Sequence, residues 1–279
     1  MSIPKIKRIF LTSCLTMLAI LIVFIVNFPI IWVISTSLKP YGGLFTSKLT
    51  ILPENPTLSS FQYVLFESNF FLWLKNSLIV SITTVIILVF LSFPGAYALS
   101  RFKFFGKKTT LYSLLITQFI PSVLVLIPLY TILARLRLLN SLITLSLVYV
   151  AGGIPWSMWL MKTYLDGIPR DLDEAAIVDG ASYFRIAWYI LFPLAKPSIM
   201  VIVFLNFLGS MGEFLIANVI LEPGNWTLPI GLYRMIIQYQ TPWNKFAAMA
   251  LLISIPSIIV YAIGQHYLRT GLTLTGIKG

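Results

Sequence analysis

The apolar run from Ile9 to about Ser35 is longer than a helix needs to cross a bilayer, and five more such runs follow it. A hydrocarbon core of about 30 Å takes about 20 helical residues. Six stretches qualify: Ile9–Ser35, Trp73–Leu99, Leu111–Leu133, Leu142–Met161, Ser198–Leu221 and Phe246–Tyr267. In lipid, backbone N–H and C=O groups must be satisfied internally, so the runs predict an all-α integral membrane protein with six transmembrane helices. Composition agrees, with 58% of the 279 residues hydrophobic and 10% charged, against about a quarter charged in soluble domains. Lys5, Lys7 and Arg8 precede the first run as in a secretory signal. The run exceeds the roughly 7–15 apolar residues of such a signal, so it is expected to stay as an uncleaved span.

The net charge of +11 raises the question of nucleic acid. The basic residues lie in short runs beside apolar segments rather than on one soluble face, which excludes that class and points to membrane topology. With both termini on one side, that side collects 13 Lys and Arg and the other 7. The richer side is expected to be cytoplasmic, with Arg135 and Arg137 as a local exception. Cys14 is the single cysteine and His266 the single histidine, so neither a disulfide framework nor a metal site is expected.

Several spans carry helix breakers: Pro94 and Gly95, Pro121 and Pro128, Gly152, Gly153 and Pro155, and Pro256. Each alone reads as a kink. Breakers in four of six spans favour a bundle around a pathway over a simple anchor.

The segment Asp166 to Lys196 holds five of the nine acidic residues. Pro169 suits a first helical turn, and Asp171, Asp173 and Glu174 sit where a helix dipole favours negative charge. At 100° per residue Leu172, Ala175, Ala176 and Asp179 share a small, smooth face. Gly180 is the expected left-handed cap, and Ser182 the N-cap of a second helix through Phe192. Two short helices joined at Gly180 let another surface approach closely, with carboxylates at the rim to meet basic residues. The alternative, a helix pair lying on lipid headgroups, fits poorly with acidity, because the cytoplasmic leaflet is itself negative.

The stretch EAAIVDGASYFRIAWYILFPLAKP, Glu174 to Pro197, resembles the EAA loop of ABC-importer permeases. The likeness extends along nearly the whole chain, through NSL at Asn76, GAYALSRFKFFGKK from Gly95, IPLYTILARLRLLNS from Ile127, GEFLIANVIL from Gly212, TLPIGLY from Thr227 and the terminal Lys278-Gly279. It points to the carbohydrate branch and to subunits similar to the six-span maltose-system permease. Gly212 stands where those permeases usually have Asn, and Phe105 where Pro is common.

The resemblance implies a type I ABC-importer permease bundle in the plasma (inner) membrane of a prokaryote. Three regions are expected: an N-terminal span and extracytoplasmic loop over 1–71, a transmembrane core over 72–267 with its coupling loop at 163–197, and a cytoplasmic tail over 268–279. It also implies that Glu174, Ala175, Ala176, Asp179 and Gly180 contact an ATP-hydrolysing subunit. A second, homologous permease, two ABC ATPases and an extracytoplasmic solute-binding protein are the implied partners besides lipid. Asn225 and Trp226, in the long segment Glu222 to Lys245, are the expected contact with that binding protein. Thr273 and Lys278, in the tail, are expected near the ATPases.

The chain itself is expected to be no enzyme and to hold no cofactor, ATP and Mg belonging to the ATPases. FFGKKTT around Gly106 is not a phosphate loop, because Arg101 and Lys108 stand where G-x-x-x-x-G-K-[ST] requires Gly and a hydroxyl. Glu213 is the one acid well inside an expected span, so it should face the bundle interior. It reads either as lining a pathway or gate or as bonding helices together, and Asn206, Asn218 and Gln118 pose the same choice. An ion-coupled secondary transporter is the competing class, for which several intramembrane acids or an inverted repeat would be expected.

Overall fold

The computed structural model describes residues 5–40, 53–236 and 240–276, and every regular element among them is helical. In chain order these are α1 (Lys5–Leu38), α2 (Ser59–Gln62, continued by a wider turn over Tyr63–Glu67), α3 (Phe70–Arg101), α4 (Lys107–Thr117), α5 (Ser122–Arg135), α6 (Leu142–Asp166) and α7 (Asp171–Val178). Then come α8 (Tyr183–Arg185, widened over Ile186–Leu191), α9 (Phe192–Leu194), α10 (Lys196–Gly212), α11 (Leu215–Ile220), α12 (Leu228–Tyr233) and α13 (Trp243–Gly276).

Among the described residues four helices are long and apolar enough to cross a membrane: Leu11–Leu38, Phe70–Arg101, Leu142–Asp166 and Trp243–Gln265. Two bent pairs bring the count to as many as six. The pair α4 and α5 meets at 95°, and Tyr183–Leu194 meets α10 at 72°. The expected third span is therefore an elbow. Pro121 is the cause: its extended backbone (φ −58°, ψ 126°) precedes α5, and proline drives the residue before it out of helical geometry. The expected fifth span also divides, α10 ending at Gly212 and α11 starting at Leu215. The other prolines, Pro94, Pro128, Pro155 and Pro256, lie inside continuous helices.

The chain forms two compact units. The first takes Met1–Asn69 and Arg234–Ile253. In it the end of α1 is tied by Thr57 N–H to the Leu38 carbonyl at 2.8 Å and by Asn244 Nδ2 to the Lys39 carbonyl at 3.3 Å. Lys245 Nζ sits 3.2 Å over the Tyr63 ring. Along α1 the apolar side chains from Leu11 to Ile30 are exposed, as lipid-facing residues are.

The second unit takes Phe70–Tyr233 and Ser254–Gly279. Its backbone is the pairing of α3 with α6, where buried small residues, Ser77, Ser81, Ser92 and Ser100 on α3 with Ser146 and Ser157 on α6, allow close approach. Thr84 Oγ1 donates to the Ser146 carbonyl at 3.4 Å and Ser146 Oγ to the Val80 carbonyl at 3.3 Å. Nearer α7 lies a core of Leu88, Phe93, Met161, Leu165, Ile186 and Ile202. Toward α11 and α12 a second core joins Val80, Leu145, Ala217, Ile220 and Ile230.

Candidate functional site

The helix α7 is eight residues long, too short to persist alone. Three acids open it: Asp171, Asp173 and Glu174. Its end closes through Ala181 N–H to the Ala176 carbonyl and Gly180 N–H to the Ile177 carbonyl, both at 2.9 Å. That pair of bonds is the Schellman motif, and it needs the left-handed residue that Gly180 supplies at φ +80°. Ser182 then caps the next helix, its Oγ accepting from Arg185 N–H at 3.3 Å.

What holds α7 in place is a polar cluster that the sequence did not reveal. Arg101, the last residue of α3, puts Nε 2.6 Å from Asp173 Oδ2, with only 6% and 13% of the two side chains exposed. Nε makes no directed hydrogen bond, so charge rather than bond alignment joins the pair. The rest of the guanidinium is aligned, donating to the carbonyls of Leu165 at 3.0 Å and Ile168 at 3.2 Å. Arg170 Nη2 donates to the Ser100 carbonyl at 3.1 Å, and Ser100 Oγ to Asp166 Oδ1 at 2.6 Å. Lys162 pairs with the same carboxylate. The ends of α3 and α6 and the start of α7 are thus one connected network.

With its base locked, α7 turns a face outward. Glu174, Ala175, Asp179 and Gly180 are exposed there. Ala176, expected beside them, is buried against the core that contains Leu165 and Ile186. In its stead Ile177 and Val178 project, Val178 with 86% of its surface exposed. The outward face is acidic and apolar rather than smooth.

The residues considered for a pathway are spread over several sites. Glu213 lies in the break between α10 and α11, where it accepts from Ile216 N–H at 2.8 Å, Ala217 N–H at 3.0 Å and Tyr149 Oη–H at 2.5 Å. The carboxylate satisfies amides that the break leaves without helical partners. Asn206 Nδ2 reaches Ser157 Oγ at 3.2 Å, joining α10 to α6. Asn218 is half-buried on α11. Gln118 sits in the elbow and donates to the Gly152 carbonyl at 3.3 Å. It borders a groove of about 1050 Å³ between the elbow and α6, with no charged residue in its lining.

At the far end, Asn76 Nδ2 donates to the carbonyls of Gly224 and Trp226, and Ser77 Oγ accepts from Leu228 N–H at 2.8 Å. Asn225 and Trp226 are half-buried, while Glu222, Pro223 and Gly224 are exposed. Asn225 bonds Asn140, which adopts φ +54° and also meets Glu222. Of the tail residues, Thr273 lies on α13 and Lys278 lies outside the described residues.

A bundle of straight and elbowed spans, with a short, braced helix presented at one end, is the type I ABC-importer permease fold. A bacterial ABC transporter involved in import of the acidic polysaccharide alginate superimposes on 96% of this chain and 99% of its own, with a TM-score of 0.82 at 23% identity. Residues 92–273 match the family described as the binding-protein-dependent transport system inner membrane component, and the chain belongs to that family. It is 36% identical over 98% of its length to the galactooligosaccharides transport system permease protein GanQ of Bacillus subtilis, covering 96% of that protein. It is 34% identical to the maltose/maltodextrin transport system permease protein MalG of Vibrio vulnificus, with 90% of each chain covered. Membership sets the ion-coupled secondary transporter aside.

Proposed function

We propose that this chain is the membrane-spanning permease of an ATP-driven importer for a neutral oligosaccharide, and that α7 is its handle for an ATPase. The observation that carries the coupling reading is the contrast within α7. Its base is tied into α3 and α6 by Arg101, Asp173 and Arg170, while Glu174, Val178 and Asp179 face outward. A surface pushed at those residues moves the two longest helices of the unit with it. Two ATPase copies, with ATP and Mg on them, supply the push. Nucleotide binding would favour one of two bundle states, a population shift in which the difference in affinity sets the size of the response.

The Lys and Arg bias of the sequence assigns the loop that carries α7, and both termini, to the cytoplasmic side. The Glu222–Gly224 tip faces the opposite side, where a solute-binding protein delivers substrate. A second, homologous permease completes the pathway. Thr273 and Lys278 reach toward the ATPases, and the plasma membrane of a prokaryote is the setting.

Support for the substrate class comes from relatives named for galactooligosaccharides and maltodextrins. The uncharged groove beside Gln118 favours a neutral glycan over an anionic one.

The test is co-expression with candidate ATPases and binding protein, reconstitution in lipid, and ATPase turnover measured against a sugar panel. One neutral oligosaccharide is expected to raise turnover, and Val178→Glu to abolish ATPase co-purification. Turnover indifferent to every sugar rejects the substrate class, and undiminished co-purification of the variant rejects α7 as the handle.

A further inference from the structure

The turn that joins α3 to α4 carries a phenylalanine that its backbone does not require. Gly106 adopts φ +84° and ψ 0°, and Lys107 N–H bonds the Phe104 carbonyl at 3.4 Å. These are the marks of a type II turn with Phe105 at its second position, where proline is favoured. Phe102 anchors the turn, its ring 5.6 Å from that of Tyr97 and 5.3 Å from that of Tyr183. Phe105 has no such duty. Its side chain is fully exposed, and Phe104 beside it is nearly half exposed.

Three lysines accompany these rings. Lys103, Lys107 and Lys108 line, with Phe104, a hollow of about 380 Å³. Lys107 Nζ donates to the Phe102 carbonyl at 3.1 Å, and its charged neighbours are Lys103, Lys162 and Arg170, with Asp166 the one acid. That acid is already engaged by Lys162 and Ser100. Lys103 and Lys108 are exposed and form no ion pair among the described residues. The hollow is thus an unbalanced patch of positive charge with an apolar wedge beside it.

The inward bias of Lys and Arg accounts for the charge, but not for a bare phenylalanine where proline would serve the turn. A ring flanked by lysines has the chemistry of a membrane-surface anchor, with the apolar side chain among acyl chains and the ammonium groups at the phosphates. An ATPase is the poorer occupant. The turn adjoins the base of α7 through Arg170 and Ser100, and a surface complementary to the exposed Glu174 and Asp179 is basic there. Such a surface repels lysines, whereas the negative cytoplasmic leaflet attracts them.

We infer that Lys103, Lys107 and Lys108 form a headgroup site for an anionic phospholipid of the cytoplasmic leaflet, with Phe105 inserted among the acyl chains. The site is separate from the groove beside Gln118 and from the outward face of α7. Lipid held there fixes the end of α3, to which Arg101 ties α7.

The test holds the full assembly in micelles of a neutral detergent and titrates it with phosphatidylglycerol, the lipid-bound chain being counted by native mass spectrometry. Each lysine beside an anionic surface contributes about fivefold in affinity, so Lys103→Gln with Lys108→Gln is expected to raise the half-saturating lipid concentration about thirtyfold. Lys5→Gln with Lys7→Gln removes the same charge from the N-terminus and is expected to change nothing. In vesicles, a Cys14→Ser, Phe105→Cys chain carries a polarity-sensitive fluorophore at the turn. Phosphatidylglycerol brominated on its acyl chains is expected to quench it more strongly than aqueous iodide.

Equal shifts in the two charge variants, or none in either, show that no local site exists and overturn the inference. Glycerol phosphate binding as tightly as the lipid marks a site for free phosphate and overturns it too. A fluorophore quenched by iodide until ATPase is added places the turn against protein, with the same consequence.

Discussion

Arg101 Nε and Asp173 Oδ2 meet at 2.6 Å, joining the last residue of α3 to the first turn of α7. Removing one member of a buried ion pair strands the other and costs about 3–5 kcal/mol at full burial. The partial exposure of Asp173 places its loss at the lower end. Arg101 has further duties, because its two remaining nitrogens hold the carbonyls of Leu165 and Ile168. Thermal unfolding of the purified assembly is therefore expected to rank the original chain above Asp173→Ala, and Asp173→Ala above Arg101→Ala. Equal losses would show that the carbonyl bonds contribute nothing and that the ion pair is the whole of the effect.

Gly180 separates backbone strain from crowding. A Cβ there would meet nothing within 4 Å, yet φ is +80°, a region that costs an ordinary residue about 1–2 kcal/mol. Asn tolerates it better than Leu. Gly180→Asn is expected to keep most sugar-stimulated ATPase activity, and Gly180→Leu to lose most of it while the assembly remains intact. Similar losses in both would mean that the glycine is needed for contact with the ATPase and not for its backbone.

These two sites show what the sequence made legible and what it hid. The helix α7, its acidic start and its glycine cap follow from local rules that act within a few residues, so all were readable. The pairing of Arg101 with Asp173 joins positions on different helices, and no periodicity announces it. The same limit applies to Ala176. A helical wheel shows which residues share a face, but which side is turned inward depends on the core built by Leu165 and Ile186. Hydropathy gave six apolar runs, where the structure has four continuous helices and two bent pairs among the described residues, and it missed the breaks. It registers composition, whereas the 95° elbow depends on the backbone of Pro121 and the division at Glu213 on a carboxylate that replaces lost helical bonds.

Glu213 offers a choice between structure and transport that one substitution resolves. Both of its oxygens are occupied, by two amides of α11 and the Tyr149 hydroxyl. Glu213→Gln keeps one accepting oxygen and turns an NH₂ group toward a donor, leaving a half-buried N–H or hydroxyl without an acceptor. Hydrogen bonds to charged groups contribute about 1.5–3 kcal/mol each. A lower unfolding temperature with an unchanged half-saturating sugar concentration is expected, and Tyr149→Phe should give a smaller loss of the same kind. Intact stability with weakened sugar dependence would place Glu213 on the pathway instead.

Gly231 records how closely α12 lies on α3. A Cβ at that position would fall 2.2 to 2.6 Å from three atoms of the Trp73 ring, and Trp73 is buried, so the indole has little room to retreat. Overpacking of this kind costs about 1–3 kcal/mol. Gly231→Ala is expected to lower the unfolding temperature, and adding Trp73→Leu to recover part of the loss by removing the atoms that clash. The recovery is what matters, because residues in direct contact are non-additive where distant ones add. A double variant no more stable than the sum of its single changes would mean that α12 shifts away from α3 to admit the methyl group. The bracing of the Glu222–Gly224 tip through Asn76 and Ser77 would then loosen with it, raising amide exchange at Leu228, whose N–H is bonded to Ser77 Oγ.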